Sequence, residues 1–291
     1  MKFENIHFII NPVSGGGKGK KIEERIKELF SDRNIKIKTT QKKNDGLKFA
    51  LESVEEEVDL IVSCGGDGTL NEVASALVGK SIPLAIVPVG SGNGLARHLH
   101  IPLHYEEALQ DILRSRSIIE PIDCGKINDM FFFSNAGIGF DAEAVNVYAH
   151  QKQRKLLGYI KSVFLSIFKF KPVKISVISE QEKFSGEAML LNISNSNCMG
   201  YGFSIAPKAS LQDGQFDVNL VKKCSWITFS WIGAGFLFNK KWGKKRNLFN
   251  TEKLEVKISA DYIQIDGEYT PIQPQTLNIS VLPKALLVLK G

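Results

Sequence analysis

A glycine-rich loop between a strand pattern and a helix pattern constrains the fold of this chain more than any other feature. The loop is Cys64-Gly65-Gly66-Asp67-Gly68-Thr69, and it follows an apolar run at Val58–Ser63 that predicts a buried strand. Residues 70–77 have helical spacing and good helix formers. Glycine lets the backbone turn sharply and approach a ligand, and outward-pointing amides at a helix start favour anions. The segment therefore predicts a strand, a phosphate-binding loop and a helix, in that order.

The acid in this loop indicates a cation as well as a phosphate. Asp67 would repel a phosphate group unless a metal ion lay between them, so the loop predicts a magnesium-nucleotide site. An ordinary strand-to-helix turn would explain the glycines. It would not explain the acid followed by Thr69 and by Asn71-Glu72. We therefore expect Asp67 to take part in catalysis at a bound nucleotide.

Composition is typical of a globular protein with room for two domains. The chain has 291 residues, and no apolar run approaches the ~20 residues that a membrane helix needs. The first residues lack the apolar core of a secretory signal. The four cysteines are far apart, which disfavours zinc sites and small disulfide scaffolds and indicates a reducing cytoplasm. A net charge of +6 favours anionic partners such as nucleotide, acidic lipid or nucleic acid.

A change in the pattern of apolar residues divides the chain into two predicted domains, 1–122 and 123–291. Strand and helix patterns alternate in the first, which predicts an α/β fold with a parallel sheet and ligands at the carboxyl ends of its strands. Short alternating runs separated by turns dominate the second, which predicts an antiparallel β-sandwich with helical inserts near 142–170 and 225–238. The final strand, 285–290, belongs to either domain as far as the sequence shows.

Three further loops fall where a parallel sheet would gather its ligands. The first is the turn at 11–17, from which the run Ser14 to Lys21 approaches a P-loop. The spacing fails, because Ser14 stands where glycine is required and Lys21 where a hydroxyl should bind magnesium. Residues 88–94 make a weak dinucleotide fingerprint, because no acidic ribose ligand follows about 20 residues on. Thr39-Thr40 ends the second predicted strand.

Together these loops resemble the diacylglycerol kinase catalytic-domain family, which includes soluble bacterial diacylglycerol kinases, YegS-like kinases and sphingosine kinases. The matching motifs occur in family order over nearly the whole chain. They are Asn11-Pro12-x-Ser14-Gly15, Gly65-Gly66-Asp67-Gly68-Thr69-x-Asn71-Glu72, Pro88-x-Gly90-Ser91-Gly92-Asn93, Asp123, Asn135-x-Gly137-x-Gly139-Phe140-Asp141, Asp213-Gly214-x-Phe216-Asp217 and Asp266-Gly267-Glu268.

The resemblance implies a fold and a reaction. The fold is an NAD kinase-like α/β nucleotide-binding domain followed by a β-sandwich, with the active site in the cleft between them. The reaction is ATP-dependent phosphorylation of a lipid hydroxyl. The implied nucleotide-binding residues are Asn11, Ser14, Gly15, Thr40, Gly65, Gly66, Asp67, Gly68, Thr69, Leu70, Asn71, Ser91 and Asn93. Glu268 matches the general base. The resemblance also implies a structural Mg²⁺, held by the Asp213 side chain and the carbonyls of Ser210 and Gln215, and Asp123 is counted among the metal-binding acids.

Two points stay open in the sequence. Gly94 stands where many bacterial diacylglycerol kinases have an acid, so the acceptor is diacylglycerol, a sphingoid base or another lipid alcohol. Asp266-Gly267 and Asp213-Gly214 would each also make a good hairpin turn without any catalytic or metal-binding role.

A lipid kinase must reach a membrane surface, and we expect peripheral binding to anionic headgroups at the inner face of the membrane. Lys155 and Lys161 lie in a basic and aromatic segment at 152–171, and a second cluster follows at 240–246. Amphipathic helices packed on the core are the alternative for both. Arg97 aligns with a basic position that the family uses at the interface. No nucleic-acid reader motif is present, and a homodimer is an open alternative.

Two other functions compete with the kinase. The first is a catalytically weak regulator that kept the fold and binds nucleotide and membrane. The second is a soluble NAD kinase, which the Asn-Pro-x-Ser-Gly and Gly-Ser-Gly-Asn motifs disfavour.

Overall fold

The computed structural model describes residues 3–114, 118–149, 166, 170–199, 204–237, 245–273 and 275–291. It divides the chain into two compact units. The first unit is Met1–Cys124 together with Pro283–Gly291, and the second is Gly125–Leu282. The division therefore falls two residues after the position that the sequence predicts, and the end of the chain is part of the first unit.

The first unit alternates strands and helices, as its sequence predicts. Its elements are β1 (Asn5–Ile10), α1 (Ser14–Gly17), α2 (Gly19–Leu29), β2 (Asn34–Thr39), α3 (Asp45–Glu55), β3 (Leu60–Gly65), α4 (Asp67–Leu77), β4 (Leu84–Pro88), α5 (Gly94–His98) and α6 (Tyr105–Leu113). Two strands, β5 (Ile118–Ile127) and β15 (Thr276–Lys290), have residues in both units.

The sheet of the first unit is parallel, in the order β2-β1-β3-β4, and the end of β15 lies beside β4. Ile6 pairs with Leu60 of β3, and Val288 of β15 pairs with Leu84 of β4. Every residue of β3 and β4 is buried, because helices cover both faces of such a sheet. The loops that follow β1, β2, β3 and β4 therefore meet at one edge, where an α/β sheet binds its ligands.

The second unit is an antiparallel β-sandwich, which confirms the predicted fold class. Its elements are β6 (Met130–Phe132), β7 (Asn135–Gly139), α7 (Phe140–Ala149), β8 (Val173–Ile178), β9 (Lys183–Ser194), β10 (Phe216–Lys222), α8 (Trp226–Leu237), β11 (Arg246–Thr251), β12 (Lys253–Ile258), β13 (Tyr262–Ile265) and β14 (Glu268–Pro271). The long strand β9 pairs with β8 through its first half, with β7 through its second half, and with β10 on its other edge. Inward-facing residues such as Phe132, Phe216 and Val256 fill the core.

Two predictions for the second unit can be compared directly with its elements. Asp266-Gly267 does form the two-residue turn between β13 and β14, as predicted. The hairpin alternative for Asp213-Gly214 is wrong, because residues 204–215 form turns and bends before β10 begins. In the described part of the chain, none of the helices is long and apolar enough to cross a membrane.

Candidate functional site

The glycine-rich loop after β3 is shaped by close packing rather than by flexibility alone. Gly66 is the residue before α4, and its carbonyl accepts the Leu70 N–H at 2.9 Å, which closes the first turn of the helix. A Cβ at Gly65 would lie 2.5 Å from the Cβ of Thr69, so only glycine fits there. The first amides of α4 consequently point toward the carboxyl edge of the sheet, as an anion site requires.

Asp67 connects this loop to the loop after β4. Its Oδ2 accepts the backbone N–H of Asn93 and its Oδ1 accepts the backbone N–H of Gly94, both at 2.8 Å. Asn93 has a left-handed backbone and donates its side-chain amide to the Gly90 carbonyl at 2.7 Å. The predicted catalytic acid therefore orders the neighbouring loop through two charge-assisted hydrogen bonds.

The loop after β1 packs onto the same edge. The Asn11 side-chain amide donates to the Thr69 hydroxyl at 3.0 Å, and its oxygen accepts the Val13 N–H at 3.2 Å. Gly15 has a left-handed backbone with φ 61°, and a Cβ there would lie 2.5 Å from the Val89 carbonyl oxygen. Asn11 thus connects the loop after β1 to the segment that follows β3, and Gly15 packs the same loop against the loop that follows β4.

The remaining predicted nucleotide residues of the first unit lie around this edge with differing exposure. Thr40 is buried and donates its backbone N–H to the Ile10 carbonyl at 2.9 Å. Leu70 is buried within α4, Asn71 is half-buried, and Ser91 is exposed at the tip of the loop after β4. Ser14 and Gly68 lie at the starts of α1 and α4.

Glu72 is part of the glycine-rich motif, but we did not predict it as a site residue. Its two carboxylate oxygens accept the backbone N–H groups of Asn44 and Gly46 at 2.9 and 3.0 Å. It therefore holds the start of α3 against α4. Its place directly after Asn71, on the first turns of a helix, was the available signal.

The predicted Mg²⁺ ligands are divided between the two units. Asp123 belongs to the first unit, is fully buried, and accepts the backbone N–H of Lys284 at 2.8 Å. Asp213 belongs to the second unit, is exposed, and accepts the Gln215 N–H at 3.1 Å. Ser210 accepts the Gln212 N–H at 3.2 Å through its hydroxyl. Within the described residues, no three His, Cys, Asp or Glu side chains are grouped as metal ligands.

The donor set around Asp213 nevertheless suits a hard cation. It consists of a carboxylate and carbonyl oxygens, the ligands that Mg²⁺ prefers. Burial raises the pKa of Asp217, and the nearby charge of Asp213 raises this pKa further. A cation bound at Asp213 would relieve that repulsion.

Glu268 stands on a tightly held hairpin. It is exposed at the start of β14 and pairs across the turn with Ile265. Asp266 and Gly267 have φ values of 48° and 80°, the pair of left-handed residues that a tight two-residue hairpin requires. The predicted general base is therefore presented to solvent from a turn with a defined backbone.

Asp266 fixes this hairpin to the turn before β7. Its buried carboxylate accepts three consecutive backbone N–H groups, those of Phe133 at 2.9 Å, Ser134 at 2.7 Å and Asn135 at 3.1 Å. We predicted Asp266 only as part of a turn. Its partners are more than 130 residues away, so no local pattern could have shown this role.

A buried polar cluster lies beside the hairpin; two of its members stand in the family motif at 135–141, but none was predicted as a site residue. Its members are Asn135, Asp141, Asn192 and Gln264. Gln264 donates to the Asn135 oxygen at 2.5 Å and accepts the Gly267 N–H at 2.9 Å, so the cluster contacts the hairpin directly. A Cβ at Gly137 would collide with the Asp141 carboxylate. Burial raises the pKa of Asp141 to about 7. The signal in the sequence was a polar residue between apolar ones, as in Leu191-Asn192-Ile193.

Of the three predicted membrane-facing residues, Arg97 is the one that the structure describes. Arg97 is half-buried and donates its Nε to the Gly92 carbonyl at 2.9 Å, which ties it to the loop after β4. Lys155 and Lys161 lie outside the described residues.

Comparison with known proteins gives the same two-part division. The model of the diacylglycerol kinase catalytic domain matches residues 5–127, and that of the YegS C-terminal NAD kinase β-sandwich-like domain matches residues 134–290. The chain is 29% identical over 281 residues to a "Diacylglycerol kinase" of Bacillus subtilis (strain 168), covering 91% of this chain and 90% of that protein. It is 28% identical to a "Probable lipid kinase YegS-like" of Klebsiella pneumoniae (strain 342), covering 87% and 85%. A crystal structure of a diacylglycerol kinase from Bacillus anthracis superposes with a TM-score of 0.78 at 24% identity, covering 100% of this chain and 98% of that chain.

Proposed function

Because the chain belongs to the diacylglycerol kinase catalytic-domain family and carries the YegS-type second domain, we propose that it transfers the terminal phosphoryl group of ATP to a hydroxyl of diacylglycerol or a related lipid alcohol. One observation carries the proposal beyond family membership. The three loops that the family uses for nucleotide are tied to one another by Asp67, Asn11 and Gly15 at the carboxyl edge of a parallel sheet. That edge is where α/β folds bind phosphates.

In this proposal the first unit holds the nucleotide. The amides of the turn at 65–68 and of residues 14–15 offer donors to phosphate oxygens, and the helix start at Asp67 adds a favourable dipole. Phosphoryl transfer depends mainly on placing the reactants in line and on stabilising developing charge. Loops that are held by backbone packing meet the first of these requirements, because they lose little entropy when a ligand binds.

Glu268 is the proposed general base. A carboxylate that takes the proton of an attacking hydroxyl contributes about 10²–10⁴-fold to a rate, provided that its position is fixed. The three N–H groups on Asp266 and the Gln264 contact to Gly267 supply that fixed position. Glu268 itself is exposed, so it is accessible to a substrate.

Mg²⁺ is part of the proposal, and the residues present fit it. The Asp213 carboxylate with the carbonyl oxygens of Ser210 and Gln215 would hold one ion, and Asp67 would lie near a nucleotide-bound ion. The nucleotide-bound ion would neutralise the negative charge that develops on the transferring group, and the ion at Asp213 would be structural.

A regulatory protein that binds ATP but does not catalyse transfer is a second candidate, because the hydrogen bonds of Asp67 favour it. Both carboxylate oxygens of Asp67 are already bonded to backbone amides, as expected for an acid whose task is to order loops. Such a protein would bind ATP and transfer nothing.

The test is a kinase assay on the purified chain with a total lipid extract and ATP, in which phosphorylated lipids are identified by mass spectrometry. We expect a new phospholipid with the wild type, and loss of this product in Asp67→Asn and Glu268→Gln. ATP binding without product would support the regulator instead. The absence of both ATP binding and product would overturn both candidates. Formation of NADP from NAD in parallel reactions would show an NAD kinase.

A further inference from the structure

Helix α8 presents large apolar side chains to solvent. Ile227 is 85% exposed and Trp231 is 59% exposed, and Ile227 is the most exposed large apolar side chain of the described chain. The two residues are four positions apart on one helix, so they lie one turn apart on the same face. Single exposed apolar residues are normal on protein surfaces, but an adjacent aliphatic and aromatic pair marks an interaction surface.

The opposite face of α8 is firmly packed. Phe229 and Ile232 are buried in a core with Val221, Met189 and Leu190. The Phe229 ring makes edge contacts with the rings of Phe140 and Trp226, at centroid distances of 5.0 and 5.6 Å. The aromatic packing below the helix therefore fixes the direction in which Ile227 and Trp231 point.

No charged residue occurs in α8 itself, whereas basic residues flank it on both sides. Between Asp217 and Glu252 the sequence has no acidic residue. Its basic residues there are Lys222, Lys223, Lys240, Lys241, Lys244, Lys245 and Arg246. Lys222 donates its backbone N–H to the Lys245 carbonyl at 2.9 Å, so the chain entering α8 meets the chain that follows it. Among the described residues, Lys222 and Lys245 thus lie near the start of an uncharged, apolar helix, and Lys223 beside them is paired with Glu187 at 2.7 Å.

A bilayer with anionic lipid is the partner that fits these features. Twelve residues of helix are about 18 Å long, too short to span a bilayer of ~30 Å but suited to lie at its surface. Tryptophan is favoured at the headgroup level, and each basic residue near an anionic surface contributes about 1 kcal/mol. A protein partner without an acidic surface would explain the apolar pair but not the excess of basic residues around it.

We propose that the Ile227 and Trp231 face of α8 inserts into the interfacial layer of membranes that contain anionic lipid, and so brings the enzyme to its acceptor. The proposal rests on the proposed lipid kinase function. It assigns the docking to an element that the basic and aromatic segments at 152–171 and 240–246 do not include.

The binding test uses the full chain with sucrose-loaded vesicles of phosphatidylcholine, with and without phosphatidylglycerol. We expect wild type to sediment with the anionic vesicles and the double variant Ile227→Ser, Trp231→Ser to bind about tenfold or more weakly. Leu51→Ser is the matched control, because Leu51 is 45% exposed on α3 of the first unit. Equal binding by the double variant and wild type would overturn the proposal.

Fluorescence adds a readout that a folding defect cannot imitate. Brominated lipid should quench the tryptophan emission of wild type, and this quenching should fall in Trp231→Phe while its vesicle binding persists. Unchanged quenching in Trp231→Phe would contradict insertion of this residue. Altered self-association of the double variant with intact vesicle binding would assign the face to a second copy of the chain.

A soluble acceptor separates this proposal from the proposed function. The double variant should phosphorylate a short-chain, water-soluble lipid alcohol at the wild-type rate and be slower on vesicle-borne acceptor. If no acceptor is phosphorylated by wild type, the kinase proposal fails even where vesicle binding still depends on Ile227 and Trp231.

Discussion

Gly66 and Gly90 lie so close together that a Cβ on Gly90 would be 2.5 Å from the Cα of Gly66. This distance is shorter than real contacts allow, and the obstructing atom is backbone, which cannot rotate away. The loops after β3 and β4 can therefore approach each other this closely only because position 90 is glycine, whereas a Cβ on Gly66 would make a tight contact of 3.3 Å with the Cα of Gly90. The shape of the proposed phosphate site depends on that approach.

We expect Gly90→Ala to force the two loops apart. Overpacking of this kind costs about 1–3 kcal/mol of the free energy of unfolding, and it should also weaken ATP binding. Urea denaturation and ATP titration measure the two effects. Gly233→Ala is the control, because Gly233 lies inside α8 with open space around it, so alanine should be neutral or stabilising by up to ~1 kcal/mol. Wild-type stability in Gly90→Ala would contradict this account of the loops.

Glu268→Gln should separate catalysis from stability. Glu268 is exposed, so the substitution should change the free energy of unfolding by less than about 0.5 kcal/mol. As the general base, its loss should slow phosphoryl transfer by roughly 10²–10⁴-fold. Turnover at saturating ATP and lipid measures the effect, with Glu180→Gln on another exposed turn as the matched control. A rate within twofold of wild type would remove Glu268 from the mechanism.

Asp266→Ala should mainly lower the free energy of unfolding, in contrast to Glu268→Gln, which should mainly lower the rate of transfer. The substitution leaves the buried N–H groups of Phe133, Ser134 and Asn135 without their acceptor. Hydrogen bonds to a charged group are each worth about 1.5–3 kcal/mol, so we expect a loss of about 3 kcal/mol or more in unfolding free energy. Asp266→Asn, which tolerates the left-handed backbone and keeps one acceptor, should lose less. Equal stability of the two variants would show that the carboxylate is not the anchor.

Asp141 should make the stability of the second unit depend on pH. Its pKa is about 7 in the folded chain because of burial, against an ordinary value of 3.8. The folded state therefore keeps a proton that the unfolded state has released, and the free energy of unfolding should fall as pH rises between these values. The full effect is on the order of 4 kcal/mol.

Asp141→Asn removes this titration, so its stability advantage over wild type should grow from pH 4 to pH 7. Thermal unfolding across that range measures the difference. Asp45→Asn is a control in which the pH dependence of the free energy of unfolding should have the opposite sign. Two backbone N–H groups hold the pKa of Asp45 below its usual value, so wild type gains stability above that pKa and loses it in acid. A constant difference between Asp141→Asn and wild type would contradict the buried acid.

Asp213→Asn should raise the Mg²⁺ concentration needed for half-maximal transfer by about tenfold. The same variant should lose the increase in melting temperature that Mg²⁺ gives to wild type, a readout that does not need turnover. Asp129→Asn, at another exposed carboxylate, should behave like wild type. Chelation of Mg²⁺ should abolish transfer in every variant, and an unshifted Mg²⁺ requirement in Asp213→Asn would place the ion elsewhere.

The sequence predicted the first unit well because its signals are local. The apolar runs of β1, β3 and β4 are short and bounded by turns, and the loops after them carry their own glycines and polar residues. The turn at Asp266-Gly267 was predictable for the same reason, since both of its residues favour a left-handed backbone.

The sequence predicted the sandwich class of the second unit but not its polar contacts, because these contacts join distant residues. The partners of Asp266 are about 130 positions away, and Gln264 meets Asn135 across a similar separation. The sequence of β7 gives a weak strand signal, because the buried strand Asn135–Gly139 consists mostly of small residues and has few of the branched side chains that identify most strands. The sequence left a hairpin open as an alternative for Asp213-Gly214, because the Asx turn that forms there has the same residue preferences.

The end of β15 completes the first unit, since Val288 pairs with β4 and the Ala285 carbonyl accepts the Gly79 N–H at 2.7 Å. During translation the ribosome releases residues 1–124 long before residues 283–291. The nascent first unit must therefore wait, with one edge of its sheet uncovered, until the second unit has emerged, and it is exposed to chaperones and to misassociation in that interval.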